Sequence, residues 1–329
     1  MKIGVFDSGY GGLTILEKIR ERLPGYDYIY LGDNARAPYG TRSFQVIYEY
    51  TLEAVRYLQH EGCRLIILAC NTASAKALRT IQQHDIDPDK LRVLGVIRPT
   101  VEVVPSLTRN GHIGIVATPG TVSSESYVIE LQHQMSNYRT ASADRSRLCR
   151  DKNCQLSITQ QSCPLWVPLI EAGEHDSEGA DWFVKKYLDE LLRRDPLIDT
   201  LVLGCTHYPL LLPKIEAYLH REPRTENRAP ILHTFTNSHK NVSSSKPITE
   251  RRQGNAVSTA VGAITLVSQG AIVADSLADY LHRHPEIACD CSRGGTCRYL
   301  TTESAERFQE SARIFMRMPL TAETITLGV

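Results

Sequence analysis

Several features are absent from this sequence, and each absence excludes a class of protein. No charge of one sign dominates, because 37 basic residues balance 37 acidic ones. The broad basic field typical of nucleic-acid-binding proteins is therefore missing. No apolar run approaches the roughly 20 residues that a membrane-spanning helix needs. The opening MKIGVFDSG has the pattern of a strand and not that of a secretory signal. We expect a cytoplasmic protein with neither a nucleic acid nor a membrane as its partner.

The cysteines do not form a disulfide pattern. There are nine of them, irregularly spaced, and thiols in the cytosol are usually reduced. Catalysis, metal binding and burial all explain them better than a disulfide framework. One alternative is a metal knuckle of Cys289, Cys291 and Cys297 in ACDCSRGGTCRYL, although three thiols there lack an evident fourth ligand. Cys149 and Cys154 lie in a polar segment, where we expect solvent exposure.

Short runs rich in Val, Ile and Leu alternate with amphipathic stretches along the 329 residues. The runs predict buried strands at Ile3 to Phe6, Tyr28 to Leu31, Leu65 to Ala69, Val93 to Ile97, Ile113 to Ala117 and Thr200 to Leu203. The stretches predict helices over Leu13 to Arg22, Phe44 to Gln59, Ile272 to His284 and Ser304 to Met316. This alternation predicts an α/β fold with mainly parallel sheets.

A weak internal repeat indicates two similar halves. IGVFDSGYGGL at position 3 has the pattern of IGIVATPGTV at position 113, and a later strand in each half ends in a cysteine, Cys70 or Cys205. We expect two pseudo-symmetric α/β domains with the active site in the cleft between them. The first comprises residues 1–97 and 208–329, and the second residues 98–207. A polar segment at about 219–255 is expected to form a solvated insertion in the first domain.

Residues able to do chemistry follow three of the predicted strands. They are Asp7-Ser8-Gly9, Cys70-Asn71-Thr72 and Cys205-Thr206-His207. Ligands of open α/β sheets bind beyond the carboxyl ends of the strands, where all three segments would lie. Each has a simpler explanation: Asp7 could cap a helix, and a buried cysteine is commonly inert. A cysteine with a nearby histidine fits a nucleophile pair, a metal site or an acid/base pair.

Longer segments resemble the cofactor-independent aspartate/glutamate racemase superfamily, and within it the glutamate racemases. These segments are GVFDSGYGGLTIL, YLGDNARAPYG at 30–40, ACNTASA at 69–75, CPLWVPLIEAGE at 163–174 and LVLGCTHYPLL at 201–211. The resemblance implies an enzyme that interconverts L- and D-glutamate without a cofactor or metal. One thiolate removes the α-proton and a second thiol returns a proton to the opposite face. It also implies supply of D-glutamate for peptidoglycan synthesis.

The resemblance implies roles for particular residues as well. Cys70 serves the D-enantiomer and Cys205 the L-enantiomer. Asp7 assists Cys70, His207 assists Cys205, and Glu171 is a further active-site carboxylate. Substrate contacts are implied for Asp7, Ser8, Pro38, Tyr39, Gly40, Asn71, Thr72, Thr118, Thr121, Thr206 and His207.

Two alternatives remain open at this point. An aspartate racemase, or another cofactor-independent amino-acid racemase of the superfamily, would use the same pair of thiols. A non-catalytic thiol- or zinc-binding α/β protein is an alternative of another class. The expected partner is the small-molecule substrate, with a homodimer as the candidate assembly.

Overall fold

Strands and helices alternate along the chain, and the strands form two sheets. The computed structural model describes residues 1–141, 156–221, 258–261, 264–316 and 318–328. The strands are β1 Ile3–Asp7, β2 Tyr28–Gly32, β3 Leu65–Leu68, β4 Arg92–Gly95, β5 His112–Ala117, β6 Ser157–Ser162, β7 Thr200–Gly204, β8 Ser258–Val261, β9 Ile264–Val267, β10 Cys297–Thr301 and β11 Ala322–Thr324. The helices are α1 Gly12–Arg22, α2 Phe44–His60, α3 Asn71–Lys76, α4 Leu78–His84, α5 Ile97–Leu107, α6 Pro119–Ser123, α7 Ser126–Ala141, α8 Trp166–Glu171, α9 Glu178–Arg194, α10 Leu212–Arg221, α11 Gln269–Arg283, α12 Pro285–Asp290 and α13 Ala305–Ala312.

The first sheet has the strand order β11-β10-β2-β1-β3-β4. Each of the pairings between these described strands is parallel. In this register Asp7 lies opposite Gly32, and Phe6 lies opposite Leu68. The carboxyl ends of β1, β2 and β3 therefore meet at one edge. All residues of these three strands are buried, as their apolar composition predicts.

The second sheet has the strand order β6-β5-β7-β9-β8. Its pairings are parallel except that between β8 and β9. Ala117 at the end of β5 lies opposite Gly204 at the end of β7. The carboxyl ends of these strands thus form a second edge that can carry functional residues.

Helix α1 anchors the turn that follows β1. Leu13, Leu16 and Ile19 lie on its buried face and are fully inaccessible to solvent. They belong to one continuous hydrophobic core that also contains Leu277 of α11 and Leu203 of β7. Burying a side chain of this size contributes roughly 1.5–3 kcal/mol. The turn between β1 and α1 is therefore fixed by the buried strand at one end and by the buried helix at the other.

The path of the chain after residue 208 differs from the expected domain division. Residues 208–329 were all expected in the first domain, but β9 pairs in parallel with β7 of the second sheet, with Thr265 opposite Thr200. The chain returns to the first sheet at β10, which pairs with β2. The sequence did not predict this path because β8 and β9 are only four residues each. Runs this short do not reveal by periodicity which sheet they join.

The polar segment at 219–255 and the cysteines of the tail can be compared with what the sequence predicts. Helix α10 covers the start of the 219–255 segment, and the rest of it lies outside the described residues, as do Cys149 and Cys154. In the tail, Cys289 is exposed, Cys291 is buried and Cys297 is partly buried. The described part of the chain contains no cluster of three or more His, Cys, Asp or Glu placed to hold a metal ion. It also contains no helix that is long and apolar enough to cross a membrane.

Asp199 ties the start of β7 to the turn before β5. Its carboxylate accepts hydrogen bonds from Thr108 Oγ1 at 2.7 Å and from the backbone N–H groups of Arg109 and Asn110 at 2.7 and 3.0 Å. We expect Asp199→Ala to lower the free energy of unfolding by about 3 kcal/mol, because the buried Thr108 hydroxyl and two partly buried backbone N–H groups lose their acceptor. Urea unfolding measures this change.

Asp176→Ala is the matched control, since the Asp176 side chain is 89% exposed. It should change the free energy of unfolding by less than about 0.5 kcal/mol. Equal losses in the two variants would contradict the bracing role of Asp199.

Candidate active site

One cavity lies where the carboxyl edges of the two sheets meet. Its lining combines Ser8 and Cys70 after strands of the first sheet with Thr118 and Cys205 after strands of the second. All of the site residues predicted from the sequence line this cavity except Asp7 and Thr121. Those two are buried, at 1% and 0% exposure, and their contacts are described below. The structure thus brings segments from both halves of the chain to one site.

Cys70 lies between the end of β3 and the first residue of α3. Its sulfur accepts a hydrogen bond from the backbone N–H of Ala73 at 3.4 Å and lies 3.3 Å from the Ser8 hydroxyl. The residue is 5% exposed. Burial, followed by the nearby negative charge of Asp7, raises the pKa of this thiol to about 12. Cys70 is therefore a neutral thiol at neutral pH.

Cys205 lies directly after β7 and has a different neighbour. Its sulfur is 3.8 Å from His207 Nδ1, and His207 Nε2 is 2.9 Å from Glu171 Oε1. Burial alone lowers the pKa of the imidazole, but its bonds to Cys205 and Glu171 outweigh burial and raise that pKa to about 10. A protonated ring donates through both nitrogens, to the carboxylate and to the sulfur. Positive charge therefore lies beside Cys205 and a carboxylate balances it.

Asp7 is the last residue of β1 and lies behind the cavity wall. Its Oδ2 accepts a hydrogen bond from the backbone N–H of Gly9 at 2.9 Å. Burial raises the pKa of this carboxyl group, while the nearby charge of His207 opposes the rise. Its charge acts on the Cys70 sulfur in turn. Asp7 is thus electrostatically linked to Cys70 and to His207 without lining the cavity itself.

The backbone at the N-terminus of α1 packs so close to the site that a side chain there would clash with site residues. A Cβ on Gly11 would lie 2.3 Å from His207 Nδ1 and from Thr206 Oγ1. A Cβ on Gly12 would lie 2.4 Å from the Cβ of Asp7. Glycine at these two positions lets the helix backbone pack against the site residues of both sheets.

Threonine hydroxyl groups form another part of the lining. The hydroxyl oxygens of Thr72 and Thr118 are 2.9 Å apart, and Thr121 Oγ1 lies 3.4 and 3.1 Å from them respectively. Thr121 is therefore a support for the two hydroxyls that line the cavity. The Tyr39 hydroxyl donates to Asp33 Oδ2 at 2.5 Å, so this ring is held from outside the cavity.

Some residues at the site were not predicted from the sequence. Cys163, Val167 and Pro168 also line the cavity. They belong to the CPLWVPLIEAGE segment, in which only Glu171 was expected to contribute. The ring of Phe315, from the tail of the chain, lies 5.1 Å from the His207 ring in an edge-to-face arrangement. No local pattern could reveal this contact, because it joins residues far apart in sequence.

This arrangement can move protons. Two thiols from two sheets line one cavity, one neutral and one beside an imidazolium, so an acid and a base can act on the same ligand. Threonine hydroxyls and the backbone near Gly40 offer polar contacts to that ligand. Low exposure of both sulfurs strengthens the electrostatic effects of their neighbours.

Comparison with known proteins assigns the family. The family model of Asp/Glu/hydantoin racemases matches residues 3–232. A glutamate racemase of a Ruegeria species is 35% identical over 333 residues, which cover 98% of this chain and 99% of that protein. The chain belongs to the Asp/Glu/hydantoin racemase family. The resemblance inferred from the sequence motifs is therefore confirmed.

Solved structures extend the similarity to the fold. A glutamate racemase isoform from Bacillus anthracis superposes with a TM-score of 0.73 at 27% identity, covering 99% of this chain and 97% of that one. A glutamate racemase from Francisella tularensis, in complex with D-glutamate, gives the same TM-score and coverage at 25% identity. The expected α/β fold with two mainly parallel sheets is confirmed. This racemase chain thus shares its architecture with these proteins over nearly its whole length.

The charge state of His207 can be measured directly. Because its pKa of about 10 lies above the ordinary value, we expect the ring to stay protonated up to about pH 10 in nitrogen-resolved NMR of labelled histidine. The stabilisation from this shift is complete below about pH 6.5 and is lost as the pH rises through about 10. His207→Gln identifies its signal among the 11 histidines.

Glu171→Gln should lower the titration midpoint of His207, because the ring loses an ionised acceptor. Glu174→Gln, an exposed position three residues along, should leave that midpoint unchanged. A wild-type midpoint near pH 6.5 would show that the pairing of His207 with Glu171 and Cys205 is wrong.

Proposed function

We propose that this chain is a glutamate racemase that interconverts L- and D-glutamate by a two-thiol mechanism. One cysteine thiolate takes the α-proton and becomes a thiol. The other cysteine thiol gives a proton to the opposite face of the same carbon and becomes a thiolate. The net change is inversion at the α-carbon, with no group oxidised or reduced. No cofactor enters this scheme.

The observation that supports this proposal most strongly is the shared cavity of Cys70 and Cys205. The two residues follow β3 of one sheet and β7 of the other. They therefore approach the cavity from different halves of the molecule. A planar carbanion formed between them can be protonated from either side. The names of the similar proteins point to glutamate as the substrate.

The difference between the two thiols gives the reaction a starting state. Cys70 has a pKa of about 12 and begins as the acid. The Cys205 sulfur lies 3.8 Å from Nδ1 of His207, and in this scheme Cys205 acts as the base. Cys205 then removes the proton of L-glutamate and Cys70 protonates the carbanion to give D-glutamate. The reverse reaction exchanges these roles, with Asp7 assisting Cys70 and His207 assisting Cys205.

An amino-acid α-proton is weakly acidic, so positioning and electrostatics must supply the rate. Each tenfold increase in rate requires about 1.4 kcal/mol of additional transition-state stabilisation. Substrate contacts in this proposal come from Ser8, Pro38, Tyr39, Gly40, Asn71, Thr72, Thr118 and Thr206, which line the cavity. Donors in this group suit the two carboxylates of glutamate, and Glu171 completes the charge balance around His207.

The proposed product sets the cellular role. D-glutamate would be used in peptidoglycan synthesis, and the enzyme would act in the cytoplasm. The free cysteines of the described residues are consistent with a reducing compartment. Assembly as a homodimer stays a prediction.

Racemisation in heavy water tests the function. Wild-type protein without added pyridoxal phosphate should convert L-glutamate to D-glutamate and introduce deuterium at the α-carbon, as followed by circular dichroism and mass spectrometry. Cys70→Ala and Cys205→Ala should each lower the racemisation rate at least about 1,000-fold, because each removes an obligatory proton carrier. L-Aspartate, tested in parallel, distinguishes the two substrates.

Cys63→Ala is the control for the thiol variants. Cys63 is also fully buried but lies in the core of the first sheet, so its variant should racemise glutamate at the wild-type rate. Wild-type activity in either active-site variant would refute the two-thiol assignment. Faster turnover of aspartate than of glutamate would refute the assignment of glutamate as the substrate.

A further inference from the structure

A closed ring of three hydrogen bonds adjoins the cavity at Asn71. The Tyr127 hydroxyl donates to Asn71 Oδ1 at 2.7 Å, Asn71 Nδ2 donates to Gln269 Oε1 at 2.6 Å, and Gln269 Nε2 donates to the Tyr127 oxygen at 2.8 Å. All three residues are at most 2% exposed. Of the three, only Asn71 lines the cavity, so the other two do not contact a ligand there directly.

Thr100 fixes the direction of this ring. Its hydroxyl donates to the Val96 carbonyl at 2.8 Å, so its oxygen acts as the acceptor for Gln269 Nε2 at 2.9 Å. The Val96 carbonyl also lies 3.4 Å from the same nitrogen. Because both of these neighbours are acceptors, the Gln269 amide turns its nitrogen toward them and its oxygen toward Asn71.

The orientation of Gln269 decides which atoms Asn71 can offer to a ligand. Facing an oxygen, Asn71 must present Nδ2 to Gln269 and Oδ1 to Tyr127. A side-chain amide has two N–H donors, and one of them is committed to Gln269. The other can serve an acceptor in the cavity. Turning the amide over would set two oxygens against each other, which a buried site strongly disfavours.

The ring also connects the two halves of the molecule. Asn71 begins α3, next to Cys70, whereas Tyr127 belongs to the hydrophobic cluster that covers the second sheet. Gln269 begins α11 and is 198 residues away from Asn71 in the sequence. Side chains of the second half therefore orient a group on the Cys70 side of the cavity.

We propose that Gln269, together with Tyr127, is a positioning residue that holds the Asn71 amide as a hydrogen-bond donor to a carboxylate of the substrate. This inference rests on the proposed racemisation of glutamate. The two carboxylates of glutamate are acceptors, whereas its ammonium group is a donor. An Asn71 amide that could turn over would present its oxygen to a carboxylate and weaken binding.

A double-mutant cycle on the full chain tests whether Gln269 acts through Asn71. Gln269→Leu removes the ring bonds of this residue at similar volume. We expect it to raise the KM for L-glutamate by about 10-fold and to change kcat by less than about 3-fold. The reason is that the lost hydrogen bond weakens binding of the substrate and of the transition state equally. In an Asn71→Ala background, the same substitution should change KM by less than about 2-fold.

Two further variants complete the experiment. Tyr127→Phe removes one hydroxyl and keeps the aromatic packing, so it should raise KM in the wild-type background but not in the Asn71→Ala background. Gln82→Leu is the matched control, because Gln82 Nε2 donates to the Val93 carbonyl at 2.7 Å and the residue does not line the cavity. It should leave kcat and KM unchanged. Circular dichroism verifies that each variant is folded.

The outcomes separate this inference from the proposed function. Equal increases of KM in both backgrounds, with an active wild type, would overturn the positioning role alone. If Gln269→Leu does not fold, the cycle of Tyr127→Phe with Asn71→Ala decides by the same criterion. A wild-type protein that does not racemise glutamate would overturn the proposed function and this inference with it.

Discussion

Parallel strand pairing is the constraint on which the site depends. Strands paired in parallel end at a common edge, and the hydrogen-bond register leaves no freedom to slide. Asp7 therefore lies opposite Gly32 in one sheet, and Ala117 opposite Gly204 in the other. A hydrophobic core that contains residues of both sheets holds the two edges together. Residues that follow strands in distant parts of the chain consequently line one cavity.

Different neighbours in a buried site make the two thiols, which are chemically identical, differ in their electrostatic surroundings. The Cys70 sulfur has the uncharged Ser8 hydroxyl and the backbone N–H of Ala73 as neighbours, and burial favours its neutral form. The Cys205 sulfur lies beside the imidazole of His207, whose pKa is raised by its bonds to Cys205 and to Glu171. The same low exposure that penalises a lone charge strengthens a charge with a partner. Removal and return of a proton by two like groups require one thiolate and one thiol at the start of each turnover.

The six strands predicted from the sequence agree with β1 to β5 and β7 to within one or two residues, because dense Ile, Val and Leu content is a local property. β6 could not be predicted, since its sequence SITQQS has no apolar pattern and it lies at the edge of the second sheet. The sheet that β9 joins was also unpredictable, because four residues pair equally well with either sheet until the helices are packed. The motifs identified most of the cavity lining. The apolar contributor Val167 was not predicted, because an apolar packing residue carries no chemical signature.

The sequence by itself determined which residues are chemically competent and that Asp7, Cys70 and Cys205 lie at or just beyond the ends of strands, because both properties depend only on neighbours along the chain. Only the tertiary structure decided what surrounds them. The Phe315 ring lies against His207, and Gln269 bonds to Asn71 across 198 positions of sequence. Such contacts arise from the packing of α11 and the tail against the two sheets. Their geometry is set by close packing throughout the interior, which no local pattern records.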